Sequence, residues 1–266
     1  MNYLKIFPLG NYCKSAIGVV TMQTSLRKDL AAAHRLADLF DMTDLIHTHI
    51  SARVEDAPDR FLITPYGNWF YEVTASSLSE VNSAGELVGG QSEDLNPAGF
   101  IIHEAIYSIR PDVSAVFHTH TTSGVAVSAM AAGLRPISQY AIRFFNQIGY
   151  HDFQGATLVD GEREAIQAVA KDPSIRVLIL RNHGLITLGQ SVAEAFMNMY
   201  FLDRACKVQM LCENSADDIV TPSVPICELT ARQFAGSEEE DMQHKLNLEW
   251  RALLRLIADQ KSQYES

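Results

Sequence analysis

The sequence feature that most constrains the fold is a short, continuous apolar run, Val177-Leu178-Ile179-Leu180. An apolar run of this length without alternation is typical of a central strand that is covered on both faces. Predicted helices lie on either side of it in the sequence. Asp160 can cap a helix over residues 161–171, and Ser191 begins a capping box for a helix over residues 192–212. The sequence therefore predicts a buried strand between helical layers.

Further helical signals occur along the rest of the chain. Residues 24–41 repeat apolar side chains at helical spacing, and a final amphipathic helix is predicted over residues 239–260. Asn96-Pro97 is a typical helix start, with Asn as the N-cap and Pro at the first helical position. That helix is expected to end at Arg110-Pro111, because a residue before proline avoids helical geometry. Another helix is predicted over residues 125–132.

Strand signals alternate with these helices. Residues 113–118 favour a strand, and residues 61–73 favour two strands around a turn at Pro65-Tyr66-Gly67. Residues 80–88 resemble a hairpin. Because helices and strands alternate, the predicted fold class is α/β, with layers around one sheet.

The chain has no linker, internal repeat or low-complexity tract. We predict one domain over residues 24–235, preceded by an N-terminal extension over residues 1–23. A C-terminal helix within residues 236–266 is expected to pack on the same domain or on a neighbouring subunit.

The acidic composition argues against several classes of partner. The formal net charge is −11, which repels phosphate backbones, so we predict no nucleic-acid binding. No apolar run approaches the roughly 20 residues that a bilayer span requires, and the first residues lack the apolar core of a secretory signal. We therefore predict a cytoplasmic protein without a membrane partner, whose four cysteines are reduced.

The densest candidate chemistry is the segment Phe117-His118-Thr119-His120, which ends a predicted strand. Residues i and i+2 of a strand point to the same face, so both imidazoles can reach one ion. His183 follows the buried run, and Gly184 beside it permits a sharp turn. Three nitrogen ligands with an open position are the pattern of a catalytic metal site. The spacing by itself is also compatible with ordinary hydrogen-bonded histidines.

Residues 24–212 resemble the class II aldolase and adducin family in the order and spacing of six segments. These segments are His49-Ile50-Ser51-Ala52-Arg53, Ile63-Thr64-Pro65-Tyr66-Gly67, Asn96-Pro97-Ala98-Gly99-Phe100, Arg110-Pro111-Asp112-Val113, His118-Thr119-His120 and Arg181-Asn182-His183-Gly184-Leu185. The resemblance implies a three-layer α/β/α domain around a central, mainly antiparallel sheet. It also implies a zinc ion held by His118, His120 and His183, and a homotetramer with active sites at subunit interfaces. Mn²⁺ and Fe²⁺ remain open as alternatives to zinc.

The main departure from the family's aldolases is at the catalytic carboxylate, whose position is occupied here by Gly99. Glycine can neither transfer a proton nor bind a metal through a side chain. Pro97 and Ala98 stand where those aldolases have two serines that help hold the substrate phosphate. Because neither side chain donates a hydrogen bond, this departure from the family's aldolases favours a substrate without a phosphate group.

Other positions of the family's substrate site are changed in part. His49 replaces an asparagine of the aldolase phosphate loop, and Tyr66 replaces a threonine, whereas Gly67 is retained. These three residues and Gly99 are the candidates for substrate binding that the resemblance implies. Tyr140 lies where the aldolases place a tyrosine that donates a proton in a neighbouring subunit's site. A buried aromatic side chain is the alternative for Tyr140.

The proton-transfer group that replaces the lost carboxylate is a separate question. His103 lies one helical turn beyond Gly99, on nearly the same face, so it could act as a base or metal ligand or be a core histidine. His49, Tyr66 and Tyr140 are further candidates for proton transfer. Arg53 could bind a substrate carboxylate or serve as a structural ion-pair partner.

These residues predict a metal-dependent carbon–carbon lyase, either an aldolase or a decarboxylase. Its substrate would be a small oxygenated molecule without a phosphate, whose enolate-like charge the metal stabilises. A non-catalytic, adducin-like assembly module is one alternative. A non-haem iron oxygenase that uses the same three histidines is the other.

Overall fold

In the part of the chain that the structure describes, eight strands form a single mixed sheet. The computed structural model describes residues 12–90, 94–155, 161–215, 218–235 and 239–266. The strands are β1 (His49–Val54), β2 (Ala57–Ile63), β3 (Ser79–Asn82), β4 (Leu87–Gly89), β5 (Ala115–Thr119), β6 (Ile148–His151), β7 (Val177–Leu180) and β8 (Gly184–Gly189). Their order across the sheet is β4-β3-β2-β1-β5-β8-β7-β6. Within this sheet only β6 and β7 pair in parallel, so it is mainly antiparallel as expected.

Helices connect the strands and begin where the local sequence caps them. They are α1 (Tyr12–Leu39), α2 (Pro97–Ile109), α3 (Thr122–Ala129), α4 (Gln139–Ile142), α5 (Glu162–Ala170), α6 (Val192–Glu213), α7 (Val224–Ala235), α8 (Glu239–Leu256) and α9 (Lys261–Tyr264). The Asn96 side chain accepts a hydrogen bond from the Gly99 N–H at the start of α2. The Ser191 side chain likewise accepts from the Glu194 N–H at the start of α6. Both predicted N-caps are confirmed.

Two apolar layers cover the faces of the sheet. Helices α2 and α5 pack on one face, and α1, α3 and α6 pack on the other. In β7, Val177 and Ile179 join the layer of α1 and α6, whereas Leu178 and Leu180 join the layer of α2 and α5. All four side chains are at most 1% exposed. The predicted buried strand and the three-layer α/β/α fold are therefore confirmed.

Two predicted elements differ from the observed ones. Residues 61–73 contain only the end of β2, followed by a 3₁₀ turn at Phe70–Glu72 instead of a second strand. The Glu72 side chain accepts a hydrogen bond from the Trp69 N–H at 2.8 Å, which favours a turn over strand pairing. The helix predicted over residues 125–132 is α3, which starts earlier because Thr121 caps it through the Gly124 N–H.

Helices α1, α5 and α7 also differ from the predicted helices in their ends or in their presence. Helix α1 begins at Tyr12, so it runs across the boundary expected between residues 23 and 24. Asp160, the expected cap of α5, lies outside the described residues; the N-cap there is Gly161, with φ of 90°. Helix α7 lies in a segment for which no helix is predicted from the sequence. None of the described helices is long and apolar enough to cross a bilayer.

The C-terminal helices pack on the same chain. The Trp250 Nε1–H of α8 donates to Asp29 Oδ1 of α1 at 3.1 Å. Beside α9, the Glu265 carboxylate forms an ion pair with Lys28 at 3.0 Å, and the Tyr264 carbonyl accepts from the Ala75 N–H. These contacts attach residues 239–266 to the face of the domain that α1 covers.

Candidate metal centre

The three predicted ligands converge where three strands meet. His118 lies near the end of β5, and His120 follows that strand on the same face. His183 lies in the tight turn between β7 and β8, where Asn182 has a positive φ of 58°. Gly184 completes this turn against the Thr119 carbonyl, so a Cβ at this position would collide with backbone. The glycine therefore allows the His183 turn to approach β5 closely.

The ring nitrogens of this histidine trio (His118, His120 and His183) face one another. His118 Nε2 lies 2.8 Å from His120 Nε2, which lies 3.0 Å from His183 Nε2. The possible ligand atoms of the three residues all lie within 4.8 Å of one another. Such a cluster of Nε2 atoms is the donor set that Zn²⁺ and related divalent ions bind.

Outer hydrogen bonds fix how two of these rings are turned. His118 Nδ1 lies 3.0 Å from the Leu185 carbonyl, and His120 Nδ1 lies 3.0 Å from Asp44 Oδ2. Both acceptors require a proton on Nδ1, which leaves the Nε2 lone pairs directed at each other. Facing lone pairs at 2.8 Å repel unless a cation lies between them. The residues therefore fit a divalent metal, with the carbonyl and carboxylate contacts typical of metal-bound histidines.

Burial keeps two of these imidazoles, those of His118 and His183, in the form that binds metal. Burial lowers the pKa of His118 well below its ordinary value, and the neighbouring histidines lower it further. The pKa of His183 falls to about 4, mainly through burial and secondly through the nearby His120. Neutral imidazole is the ligand form, so little proton competition is expected at neutral pH.

A second histidine cluster, the buried chain (His49, His103, Ser51 and Tyr107), lies beside the trio. His49 and His118 are direct cross-strand partners, with ring centroids 4.8 Å apart. His49 Nδ1 lies 2.7 Å from His103 Nε2. His103 Nδ1 is hydrogen-bonded to Ser51 Oγ, and Ser51 Oγ lies 2.8 Å from the Tyr107 hydroxyl. His103 is fully buried with both nitrogens bonded, so it stands behind His49 and does not reach the trio.

Gly99 leaves the space that the His49 ring occupies. A Cβ at position 99 would lie 2.9 Å from His49 Cδ2 and 3.0 Å from His49 Nε2. Any larger residue would therefore push the imidazole away. Glycine in place of the family's carboxylate and histidine in place of its asparagine are therefore sterically linked, because Gly99 leaves the room that the His49 ring needs.

A cavity of about 400 Å³ opens in front of both clusters. Its lining contains no lysine or arginine among the described residues, and its only carboxylate there is Glu162. The lining residues are His47, His49, Tyr66, Asn96, Ala98, Ile102, His118, His120, Phe153, Gly155, Glu162 and His183. The cavity can therefore hold a small polar molecule next to the trio, without a lysine or arginine in the described lining.

Other predicted site residues lie elsewhere. Arg53 donates to the carbonyls of Pro58, Tyr107 and Arg110, and its guanidinium lies over the Tyr107 ring, so it is committed to structural contacts. Tyr140, on α4, is 36% exposed and stacks on Phe201 without lining the cavity. Gly67 follows Tyr66 with a positive φ of 96° and contributes a turn.

Sequence reasoning missed several residues of the site. Asp44, which orients His120, belongs to an irregular loop before β1 that has no periodic pattern to reveal it. His47, Asn96 and Glu162 line the cavity but stand in different segments of the chain. Only the folded chain brings these side chains to one place.

Comparison with known proteins agrees with this architecture. Residues 28–210 match the model of the class II aldolase and adducin N-terminal domain. Alpha-adducin of Rattus norvegicus is 48% identical over 187 residues, which cover 70% of this chain but only 25% of that protein. An aldolase II superfamily protein from Pseudomonas syringae is 38% identical with a TM-score of 0.84, covering 92% of this chain and 96% of that one.

An L-fuculose 1-phosphate aldolase from Glaciozyma antarctica PI12 also has a similar structure. It is 25% identical, has a TM-score of 0.80 and covers 98% of this chain and 97% of its own. The match of the family model extends over more than two thirds of the chain, and it contains all three histidines of the trio. The chain belongs to the class II aldolase and adducin family.

Proposed function

We propose that this protein is a metal-dependent carbon–carbon lyase, an aldolase or decarboxylase, that acts on a small oxygenated substrate without a phosphate. The observation that carries the proposal is the convergence of three Nε2 atoms beside an open cavity. His118, His120 and His183 would hold the metal, with zinc preferred and Mn²⁺ or Fe²⁺ as alternatives. The bound ion would polarise substrate oxygens and stabilise the negative charge left by carbon–carbon cleavage.

The lining of the cavity supports a substrate without a phosphate. A phosphate dianion is usually bound by arginine, lysine or several backbone N–H groups. The described lining has neither cationic residue, and Pro97 has no N–H to donate. Tyr66 and His49 are the side chains that we propose for orienting the substrate in their place.

The missing family carboxylate limits which reaction is proposed. Gly99 supplies no acid or base, and His103 is enclosed behind His49. Tyr140 is exposed on the surface of this chain, where a neighbouring subunit could receive it. We therefore propose a homotetramer in which Tyr140 contributes to a neighbouring site. Light scattering of the purified protein tests this assembly, and a monomer would remove that role for Tyr140.

An adducin-like assembly module without catalysis is the second candidate function. It is favoured by the 48% identity to alpha-adducin and by the loss of the acid at Gly99. The chain spans about a quarter of the length of that relative. A stable oligomer without bound metal or turnover would support this candidate.

The decisive experiment measures the metal content of protein purified without added metal. We expect about one divalent ion per chain in the wild type and none in His118→Ala or His183→Ala. His244→Ala, which removes an exposed histidine on α8, is the matched control and should keep its metal. A wild type without stoichiometric metal, even after zinc is supplied, would overturn the proposal.

The identity of the metal and a substrate screen then separate the remaining alternatives. Retro-aldol cleavage or decarboxylation of hydroxy-keto acids by the zinc-loaded protein would support the lyase. Iron as the native metal, together with oxygen consumption, would instead support the oxygenase alternative.

A further inference from the structure

The buried chain beside the trio has one ring nitrogen with no partner in the described structure, His49 Nε2. The His49 side chain is only 4% exposed, and what remains exposed faces the cavity. Its Nδ1 is already bonded to His103. A polar atom in such a place must bond to water or to a ligand, because a buried polar atom without a hydrogen-bond partner is destabilising.

The hydrogen bonds within the buried chain determine whether His49 Nε2 carries a proton. The Tyr107 side chain is buried, and the hydrogen-bond partner of its hydroxyl in the described structure is Ser51 Oγ. A buried hydroxyl proton needs an acceptor, so the Tyr107 proton goes to Ser51 Oγ. The serine proton then goes to His103 Nδ1.

The same reasoning assigns the ring protons of His103 and His49, which leads to the cavity. A neutral His103 that accepts at Nδ1 must carry its proton on Nε2, so it donates to His49 Nδ1. A neutral His49 that accepts at Nδ1 must carry its own proton on Nε2. The reverse arrangement would leave one buried hydroxyl proton, that of Tyr107 or that of Ser51, without an acceptor. The buried chain therefore favours a His49 tautomer with a fixed Nε2–H that is directed into the cavity.

The surroundings of this N–H favour a ligand oxygen with negative charge. Asn96 and Ala98 place the N-terminus of α2 in the cavity lining, and helix N-termini attract anions. The N–H of Ala98 has no acceptor within the helix. Glu162 in the described lining repels anions and no lysine or arginine there balances it, so the site disfavours a dianion more strongly than an anion with a single negative charge.

We propose that His49, in the space left by Gly99, is a fixed Nε2–H donor that binds the carboxylate of a small 2-hydroxy or 2-oxo acid beside the metal. This inference rests on the proposed function, because it assigns the substrate class of the same site. It makes His103, Ser51 and Tyr107 positioning residues that keep the donor in place. The His49 ring holds the substrate through its proton, and no base chemistry is required of it.

Binding of glycolate to the zinc-loaded protein tests the donor. Glutamine can place an N–H close to the position of histidine Nε2 but cannot act as a base. By calorimetry, we expect His49→Ala to bind glycolate about tenfold more weakly or worse, and His49→Gln to stay within about threefold of the wild type. Glycolamide, the uncharged analogue, should bind more weakly than glycolate to the wild type. Equal loss in both variants, or equal binding in all three proteins, would overturn the proposal.

The steric role of Gly99 is tested with the same ligand. Gly99→Ala should weaken glycolate binding as His49→Ala does, because the new Cβ displaces the ring. In the His49→Ala background, Gly99→Ala should cause no further loss. Independent, additive losses would contradict the arrangement.

The proton on His49 is measured directly by NMR of protein labelled with ¹⁵N in its histidine rings. His49→Gln assigns the signal, and the expected result is a protonated Nε2 with an unprotonated Nδ1. An Nδ1–H tautomer would overturn the inference even if glycolate bound. Zinc content is measured in every variant: its absence from the wild type would count against the proposed function. Zinc present with unchanged glycolate binding in His49→Ala would count against this inference alone.

Discussion

Two histidine clusters lie side by side at one edge of the sheet, and they differ in where their Nδ1 atoms are bonded. In the trio, the Nδ1 atoms of His118 and His120 bond outward, to a carbonyl and a carboxylate, so the Nε2 lone pairs converge. In the buried chain, the rings of His49 and His103 bond to each other, so a proton lies between them. The first arrangement suits a cation, and the second presents a donor.

The contrast indicates that the hydrogen-bond partner at Nδ1, more than the exposure of the side chain, determines whether Nε2 can bind a metal or donate a proton. His118 and His49 are both buried, and each has a pKa lowered mainly by burial. They are direct neighbours across two strands. The different roles that we propose for them follow from one hydrogen bond each at Nδ1.

The largest effect is expected when the trio loses a ligand. In zinc at about a thousand times its Kd, binding should stabilise the wild type by about 4 kcal/mol, which raises Tm. His118→Ala should show no zinc-dependent rise in Tm. Calorimetric melting with zinc and with a chelator measures both values. A variant that keeps the full rise would mean that zinc binds elsewhere.

His34 lies outside both clusters, and both of its ring nitrogens are bonded within the protein. His34 Nδ1 lies 2.7 Å from the Leu30 carbonyl, and His34 Nε2 lies 2.7 Å from Thr64 Oγ1. Burial lowers the pKa of His34 from 6.5 to about 4. Because the unfolded chain takes up the proton first, this histidine costs stability as pH falls from 6.5 towards 4.

The cost from His34 should reach about 3 kcal/mol near pH 4, since one pKa unit corresponds to about 1.4 kcal/mol. Urea unfolding of the metal-free protein between pH 7 and pH 4.5 measures it. His34→Gln, which does not titrate, should lose less stability over that range than the wild type. Parallel curves for the two proteins would show that His34 does not carry this cost.

The outer partner of the trio is expected to have a smaller effect than a ligand. Asp44→Asn removes the carboxylate that His120 faces, and outer partners of this kind change metal affinity by about 10- to 100-fold. Asp41→Asn in the same loop is the matched control, because Asn also adopts its positive φ of 57°. Zinc affinity from a competing chelator compares the two. Equal affinities would imply that Asp44 does not orient the ligand.

The sequence allowed the fold class and most of its elements to be predicted, but only part of the candidate site. The apolar run in β7 and the caps Asn96 and Ser191 determine local structure through neighbouring residues, so they could be read directly. The Gly99–His49 contact joins α2 to β1 over fifty positions of sequence, and Asp44 reaches His120 from an irregular loop. Neither pairing has a periodic signal. The role of His103 also depended on its partners, which only the packing of α2 against β1 reveals.

The smallest expected effect lies at the far end of the buried chain, and it separates the two clusters most sharply. Tyr107→Phe removes the hydroxyl that donates to Ser51, at a cost of about 1 kcal/mol in unfolding free energy. Without this donor, Ser51 Oγ can accept a hydrogen bond from His103 Nδ1–H as well as donate one to Nδ1, so the His49 tautomer is no longer fixed and glycolate binding should weaken by a few fold. Zinc affinity should stay unchanged, because the trio has its own outer partners. A parallel loss of zinc would mean that the two clusters act as one unit.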